Sequence, residues 1–292
     1  MRRILRIGSM LMAAALMTGC FLGKDTTKIP VRIGFLPVIG HDTRAEESVP
    51  FPQDRSFNVW ALHTGNGNLV LDEENITYGY DGWLASRIWP DAELEFTAYW
   101  PTDLNPEYEK GKGIIIRNFK AEEVDLLVAT ERTEYESDTL VPLHFEHILS
   151  RCEFRVMHSL ERNIELRITK IEMKGFGLSG DYNTDGDGLW TTLVRDDSYT
   201  VYEAEDENNG WLLTNKPAYI GKDFYTIPQF CAATIEMQYK VRVNGGEWIP
   251  DSAVAGPLNS DWKSGTQYTY TLNMTDKKLT YTTGISNWNN RE

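Results

Sequence analysis

Period-two alternation of apolar and polar residues recurs along this chain, and it constrains the fold more than any other feature. Because successive side chains of a β-strand point to opposite faces, such alternation predicts half-buried strands. Helical spacing is confined to residues 82–88 and 147–150, about one turn each. Many short strands joined by polar turns predict an all-β fold of antiparallel sandwiches rather than a parallel α/β sheet. The clearest alternating segments are residues 93–100, 164–168, 235–243 and 267–274, with a final strand at 279–282.

The domain organisation follows from length and from the distribution of these strands. A chain of 292 residues is long enough for two domains of ordinary size. Similar numbers of strand candidates lie on either side of residue 140, and residues 131–138 form a polar stretch. We therefore expect an N-terminal β-sandwich domain over residues 31–140 and a C-terminal β-sandwich domain over residues 141–292.

The first twenty residues have the layout of a bacterial export signal. A basic start precedes an apolar run over residues 10–17, which is too short for a membrane span. Thr18-Gly19-Cys20 then resembles the lipobox of bacterial lipoproteins. That resemblance implies removal of residues 1–19, acylation of Cys20 and a tether over residues 20–30; an ordinary cleaved signal is the alternative. Phe21 stands where an aspartate would retain some lipoproteins at the inner membrane, which favours the outer membrane.

Charge and motifs exclude several classes of function. The chain carries 29 Lys and Arg against 43 Asp and Glu, a formal net charge of −14, which argues against binding a nucleic acid. No Walker loop, GxSxG elbow or HExxH motif occurs. The GxGxxG match at residues 175–180 is followed by polar turn residues rather than by a helix, so we interpret it as a turn. We expect no enzymatic activity and no organic cofactor.

One acidic loop offers ligands for a metal ion. Asp181, Asn183, Asp185 and Asp187 place oxygen atoms at alternate positions, with a glycine at the sixth position, as in the first half of a calcium loop. The twelfth position is Thr192 rather than the bidentate glutamate that closes such loops. A surface loop rich in turn-forming residues is the simpler interpretation, and calcium is the alternative.

Two cysteines remain beyond Cys20. Cys152 and Cys231 each alternate with apolar neighbours, which indicates small buried core residues. A disulfide between them is the alternative in an exported protein, because sequence does not show whether their Cα atoms lie close enough.

Five short segments along the chain carry a resemblance to a known family. They are, in order, FTAYWP at 96–101, DLLVA at 125–129, VPLHFEHILSR at 141–151, GTQYTYTL at 265–272 and ISNW at 285–288. Together they resemble the fimbrillin family, the Mfa-like subunits of type V pili. The resemblance implies two tandem transthyretin-like β-sandwich domains behind a lipoprotein signal.

The same resemblance implies a structural role in adhesion or biofilm formation at the cell surface, with other pilus subunits as partners and a lipid anchor in the outer membrane. It further implies proteolysis after an arginine in the loop behind the first strand. That cut releases the first strand, and the opened groove accepts a strand from a neighbouring subunit. A shaft, tip or anchor role and the adhesion ligand stay open.

The apolar run VRIGFLPVI at residues 31–39 is the candidate for the removable strand. An empty groove in its place would leave unpaired backbone groups that invite strand addition. A permanent edge strand in a subunit that does not polymerise is the alternative. The residues of the expected buried face are Val31, Ile33 and Phe35, continued by Leu36 and Val38 if Pro37 offsets the register.

The polar segment at residues 40–48 is suited to proteolytic cleavage. Arg44 is the preferred cut site, and Arg55 is the alternative. Arg44 as an ordinary loop arginine is the competing interpretation.

A surface glycan-binding lipoprotein is the second function to consider. The chain contains 9 Trp, and exposed indole rings stack on sugars. Most large aromatic residues of β-sandwiches lie in the core, however, so their number alone does not favour this function.

Overall fold

The computed structural model describes residues 31–40, 48–134, 140–185, 189–194, 197–206, 209–276 and 278–288. It contains 24 β-strands and, within those ranges, no α-helix, so the predicted all-β fold is confirmed. No helix of sufficient length and hydrophobicity to cross a bilayer occurs in those ranges.

The strands are named β1 to β24 in chain order. The first twelve are β1 Arg32–Ile39, β2 Val49–Pro50, β3 Ser56–His63, β4 Leu69–Gly79, β5 Gly82–Ile88, β6 Leu94–Trp100, β7 Glu107–Glu109, β8 Gly113–Lys120, β9 Leu127–Thr133, β10 Val141–His147, β11 Ser150–His158 and β12 Ile164–Phe176. The remaining twelve are β13 Ser179–Asn183, β14 Leu189–Val194, β15 Asp197–Glu203, β16 Trp211–Leu212, β17 Ala218–Tyr219, β18 Phe224–Thr226, β19 Phe230–Cys231, β20 Thr234–Val243, β21 Ile249–Ala255, β22 Ser260–Asp261, β23 Thr266–Met274 and β24 Leu279–Asn287.

The N-terminal sheet closes on itself. Its strand order is β10-β9-β6-β3-β4-β5-β1-β2, and β1 also pairs with β10. Seven strands therefore form a ring, and β2 extends it beside β1. The closed sheet surrounds one apolar core to which every ring strand contributes, including Phe35, Phe57, Phe96 and Phe145.

Three strands of this ring, β3, β6 and β9, are buried on both faces. Val59 of β3 and Ala98 of β6 face the core of the ring, whereas Trp60 and Tyr99 point outwards into a second apolar cluster. A separate sheet in the order β14-β13-β8-β7 contributes Ile114, among others, to that second cluster. This outer layer explains why β3 is buried at every position from Phe57 to Leu62 instead of at alternate positions.

The C-terminal part is a β-sandwich. One sheet has the order β17-β11-β23-β24, with β18 beside β11, and the other has the order β15-β12-β20-β21, with β16 beside β12. Their inner faces share one core that includes Phe154, Ile171, Ile235 and Tyr270. A short pair, β19 and β22, lies outside these two sheets.

Two features differ from the sequence-based expectation. The helical turns expected at residues 82–88 and 147–150 are wrong, because the first segment is strand β5 and the second joins β10 to β11. Two of the pairings are parallel, β1 with β10 and β11 with β23, within sheets that are otherwise antiparallel. Each parallel pair joins strands far apart in the chain, so no local turn in the sequence predicts it.

The division near residue 140 stays a prediction. Strand β10 begins at Val141, yet it pairs with β1 and β9 of the N-terminal ring. Strand β13 in turn pairs with β8, so one sheet contains segments from both sides of the expected boundary.

Candidate functional site

Strand β1 is a central strand of the closed ring rather than an edge strand. On one side it pairs antiparallel with β5, where Phe35 lies opposite Trp83. On the other side it pairs parallel with β10 over a stretch that begins at Phe35 opposite Val141. Removing β1 would therefore open the ring and expose two strand edges at once.

The buried face of β1 fills the ring core. Ile33, Phe35 and Ile39 are buried, with relative exposures of 0%, 1% and 5%. Phe35 makes edge-to-face contacts with Phe57 and Phe96, at ring-centroid distances of 5.7 and 5.8 Å. Such contacts add to the gain in free energy from burying apolar area, so the Phe35 side chain anchors β1.

The offset expected at Pro37 is wrong. Leu36 is 54% exposed, and the pairing with β10 runs without interruption from Phe35 to Ile39. Pro37 keeps the alternation in phase, so Ile39 rather than Leu36 continues the buried face. Val31 and Val38 are only half-buried.

The two prolines in the paired segments of β1 and β10 do not interrupt the ladder between these strands. Pro37 pairs with Leu143, and Pro142 of β10 pairs with Leu36. The carbonyl of Pro37 accepts a hydrogen bond from Phe51, so the backbone polar side of Pro37 faces β2 rather than β10. By the same alternation Pro142 faces away from β1, and neither missing amide hydrogen lies in this seam. Backbone pairing and side-chain burial therefore both hold β1 in place.

The chain reverses direction immediately after β1. Gly40, with a φ of 83°, donates its amide to the carbonyl of Phe145 at 2.8 Å. Strand β2 then returns antiparallel to β1, and Phe51 donates its amide to the carbonyl of Pro37 at 3.1 Å. The segment at residues 41–47 thus joins two antiparallel neighbours and lies outside the described residues, as do the predicted cut site Arg44 and the predicted acylation site Cys20.

The alternative cut site lies in a different setting. Arg55 is exposed in a turn closed by its own amide, which donates to the carbonyl of Pro52 at 3.2 Å. Its guanidinium carbon lies 4.7 Å from the centroid of the Trp100 ring. A cut after Arg55 would detach β2 together with Phe51, a core ring that is 2% exposed.

The residues predicted to bind calcium are only partly described. Asp181 accepts hydrogen bonds from the amide of Asn118 at 2.8 Å and from Arg117 at 3.3 Å. Asn183 accepts one from the amide of Asp185 at 2.8 Å, which is a turn of the type such residues favour. Asp187 lies outside the described residues. In the described part of the chain, no group of three or more acidic, His or Cys side chains is arranged to hold a metal ion.

Cys152 and Cys231 are buried free thiols in the core of the C-terminal sandwich. Burial raises the pKa of the Cys152 thiol well above its ordinary value, because the apolar surroundings disfavour the thiolate. Such a thiol is unreactive, and the structure gives it a packing role.

Comparisons with known proteins agree with this architecture. A family model described as fimbrillin-like matches residues 43–288. No curated protein is similar enough in sequence to count as a match.

Solved structures of similar fold include two proteins from Bacteroides species. A candidate cell adhesion protein from Bacteroides ovatus has a TM-score of 0.60 at 14% identity, covering 91% of this chain and 100% of its own. A fimbrial protein from Bacteroides vulgatus has a TM-score of 0.54 at 16% identity, covering 87% and 99%. At these identities the similarity establishes the fold alone.

Proposed function

Because this chain belongs to the fimbrillin-like family, we propose that it is a structural subunit or accessory component of a cell-surface fimbria, assembled by exchange of strand β1. The observation that carries the proposal is that β1 is an apolar strand of a closed ring and is paired on both sides. The preferred cut site follows it in the sequence. The family and its adhesion-type structural neighbours support a surface subunit without catalysis.

Covalent connection keeps β1 in its groove before cleavage. A strand tethered through a short loop competes at an effective concentration in the millimolar range or above. Cleavage after Arg44 would leave β1 attached only to the N-terminal tether. A strand from another subunit then competes with β1 on equal terms.

The groove specifies what can replace β1. A replacement strand needs large apolar side chains at alternate positions, matching Ile33, Phe35 and Ile39. A residue other than proline at the position of Pro37 would also offer an amide to Phe51, directly after β2, which β1 itself does not. A proline-free strand therefore gains one backbone hydrogen bond over β1, which favours exchange.

Export as a lipoprotein accounts for where this occurs. Acylation of Cys20 would hold the precursor at the outer membrane, because several acyl chains anchor a protein stably. The cut after Arg44 would then separate the body from both its anchor and β1 in one step. An uncut subunit would remain as a lipid-anchored component.

Substitution at the two candidate sites tests the proposal. Purified precursor treated with an Arg-specific protease is expected to form oligomers that resist SDS, seen as a ladder on a gel. Arg44→Ala is expected to abolish the ladder, because β1 then stays covalently tethered. Arg55→Ala, which removes the same charge from the next arginine, is the matched control and should leave the ladder intact.

One result would count against strand exchange, namely wild-type protein that is cut after Arg44 and stays monomeric in the presence of a competent neighbour. Loss of the ladder in Arg55→Ala with normal assembly of Arg44→Ala would instead contradict Arg44 as the cut site and place the cut after Arg55.

A further inference from the structure

A cleft with a volume of about 810 Å³ lies at the end of β1, and Ile39 of β1 forms part of its lining. One wall comes from the turn before β3 and the end of β6, with Asp54, Arg55 and Trp100. The opposite wall comes from β11, β18 and the residue after β24, with Arg151, Tyr225 and Trp288. Its volume is in the range typical of sites for small ligands.

The two walls differ in how many of their polar groups are already paired. Arg151 is bound to Asp223, with its Nε at 3.2 Å from a carboxylate oxygen. In contrast, neither the Arg55 guanidinium nor the Asp54 carboxylate has an ion pair or hydrogen bond to any described residue. The Tyr225 hydroxyl has no hydrogen-bond partner within the same ranges. Within the described part of the chain, a cation, a carboxylate and a hydroxyl therefore line the cleft without a polar partner.

The aromatic wall is held rigidly from behind. The rings of His147, Trp288 and Tyr225 form a parallel stack, with centroid distances of 3.8 Å and 5.0 Å. His147 is fixed in turn by Asp125, with 2.6 Å between its Nδ1 and the carboxylate. One face of Tyr225 is thus covered by Trp288, and the half-exposed ring is a preorganised apolar surface.

The free cation is also held in place. Arg55 lies over the Trp100 ring at 4.7 Å, which orients the guanidinium without neutralising it. An arginine with no acidic partner among the described residues is unusual in a chain with a net charge of −14. A planar guanidinium recognises carboxylates through two parallel hydrogen bonds.

We propose that this cleft binds a saccharide that carries a carboxylate, such as a uronic or a sialic acid. The carboxylate pairs with Arg55, ring hydroxyls bond to Asp54 and to the Tyr225 hydroxyl, and the apolar face of the sugar packs on the Tyr225 ring. The polar groups of this site all lie outside β1, and the site gives the protein a ligand on the cell or host surface.

The acidic residues of the cleft decide between saccharides and simpler anions. Asp54, Glu123 and Asp125 line the same cleft as Arg55. Glu123 is already paired with Lys222, and Asp125 with His147. The acidic side chains repel a ligand that is only an anion, such as phosphate, but the Asp54 carboxylate accepts hydrogen bonds from a ligand that also offers hydroxyl donors. Sugars with one carboxylate combine both properties, together with an apolar ring face that suits tyrosine.

Binding of defined sugars to the full mature chain tests the site. The probes are digalacturonate and sialyllactose, with the methyl ester of digalacturonate and lactose as neutral counterparts, measured by calorimetry or saturation-transfer NMR. At least one acidic sugar is expected to bind, and its neutral counterpart to bind at least about tenfold more weakly. Arg55→Ala should reduce the affinity by a similar factor.

Arg162→Ala is the matched control. Arg162 is exposed in the turn that follows β11, whereas Arg151 lies at the start of that strand. Loss of Arg162 changes the net charge by the same amount as Arg55→Ala without altering the cleft. The affinity of the Arg162→Ala variant for the acidic sugar should equal that of the wild type. Circular dichroism of each variant confirms that it is folded.

Several outcomes would overturn the proposal. They are no binding of either acidic sugar, equal binding of the acidic and neutral forms, and equal loss in Arg55→Ala and Arg162→Ala.

Discussion

Phe35→Ala is expected to lower the free energy of unfolding by about 3–5 kcal/mol, the range typical of large-to-small changes at buried phenylalanines. Phe35 is 1% exposed, and its ring contacts Phe57 and Phe96 from the middle of the strand. Its loss leaves a cavity bounded by rigid aromatic rings, which collapse poorly into the space. Urea denaturation of the lipid-free mature chain, followed by tryptophan fluorescence, measures the change.

The neighbouring residue provides the control. Leu36 is 54% exposed on the same strand, so Leu36→Ala should cost less than about 1 kcal/mol. Equal losses in the two variants would show that the register of β1 differs from the one described above. A loss below 1 kcal/mol in Phe35→Ala would show that β1 does not contribute to the core.

Deletion of β1 is expected to have an even larger effect. Ile33, Phe35 and Ile39 together bury apolar area worth about 6 kcal/mol as an upper estimate, at about 2 kcal/mol for each side chain. That is a large part of the 5–15 kcal/mol by which domains are usually stable. A chain that begins at Ser48 should therefore be much less stable than the full mature chain, and it should self-associate through its open ring.

Adding the missing strand as a peptide distinguishes an open groove from general unfolding. A synthetic peptide of residues 31–40 is expected to restore a monomer and to raise the unfolding temperature in proportion to peptide concentration. The same peptide with Phe35→Asp should have no effect, because a buried unpaired carboxylate is costly. A chain from Ser48 that is monomeric and fully stable without peptide would contradict the proposal.

Much of the fold was predictable because alternation is local. The runs at residues 93–100, 235–243 and 267–274 predict strands where β6, β20 and β23 occur. The turn at Asn244-Gly245-Gly246 joins β20 to β21 as an antiparallel hairpin. In each case the spacing of the apolar residues and the turn chemistry indicate the same structure.

Elements whose structure depends on distant partners were not predictable. Residues 82–88 have helical spacing, yet pairing of β5 with both β1 and β4 overrides that local preference. The pairing of β1 with β10 leaves no trace in either segment, because a strand's own pattern does not identify its neighbours.

The candidate sites also differ in how far the sequence alone predicts them. The apolar run at residues 31–39 stands out in the sequence, although its alternation beyond Pro37 becomes clear only from the pairing. The cleft has no local signal, since Arg55, Trp100, Arg151, Tyr225 and Trp288 come from distant segments and meet only in the folded chain.

The first residue of the subunits in assembled surface polymers tests the central claim, that β1 is exchanged, most directly. N-terminal sequencing or mass spectrometry of polymers purified from cells gives that residue. Strand exchange after Arg44 predicts subunits that begin at Ala45 and lack residues 31–39. Polymers whose subunits all begin at an acylated Cys20 and retain residues 31–39 would contradict it.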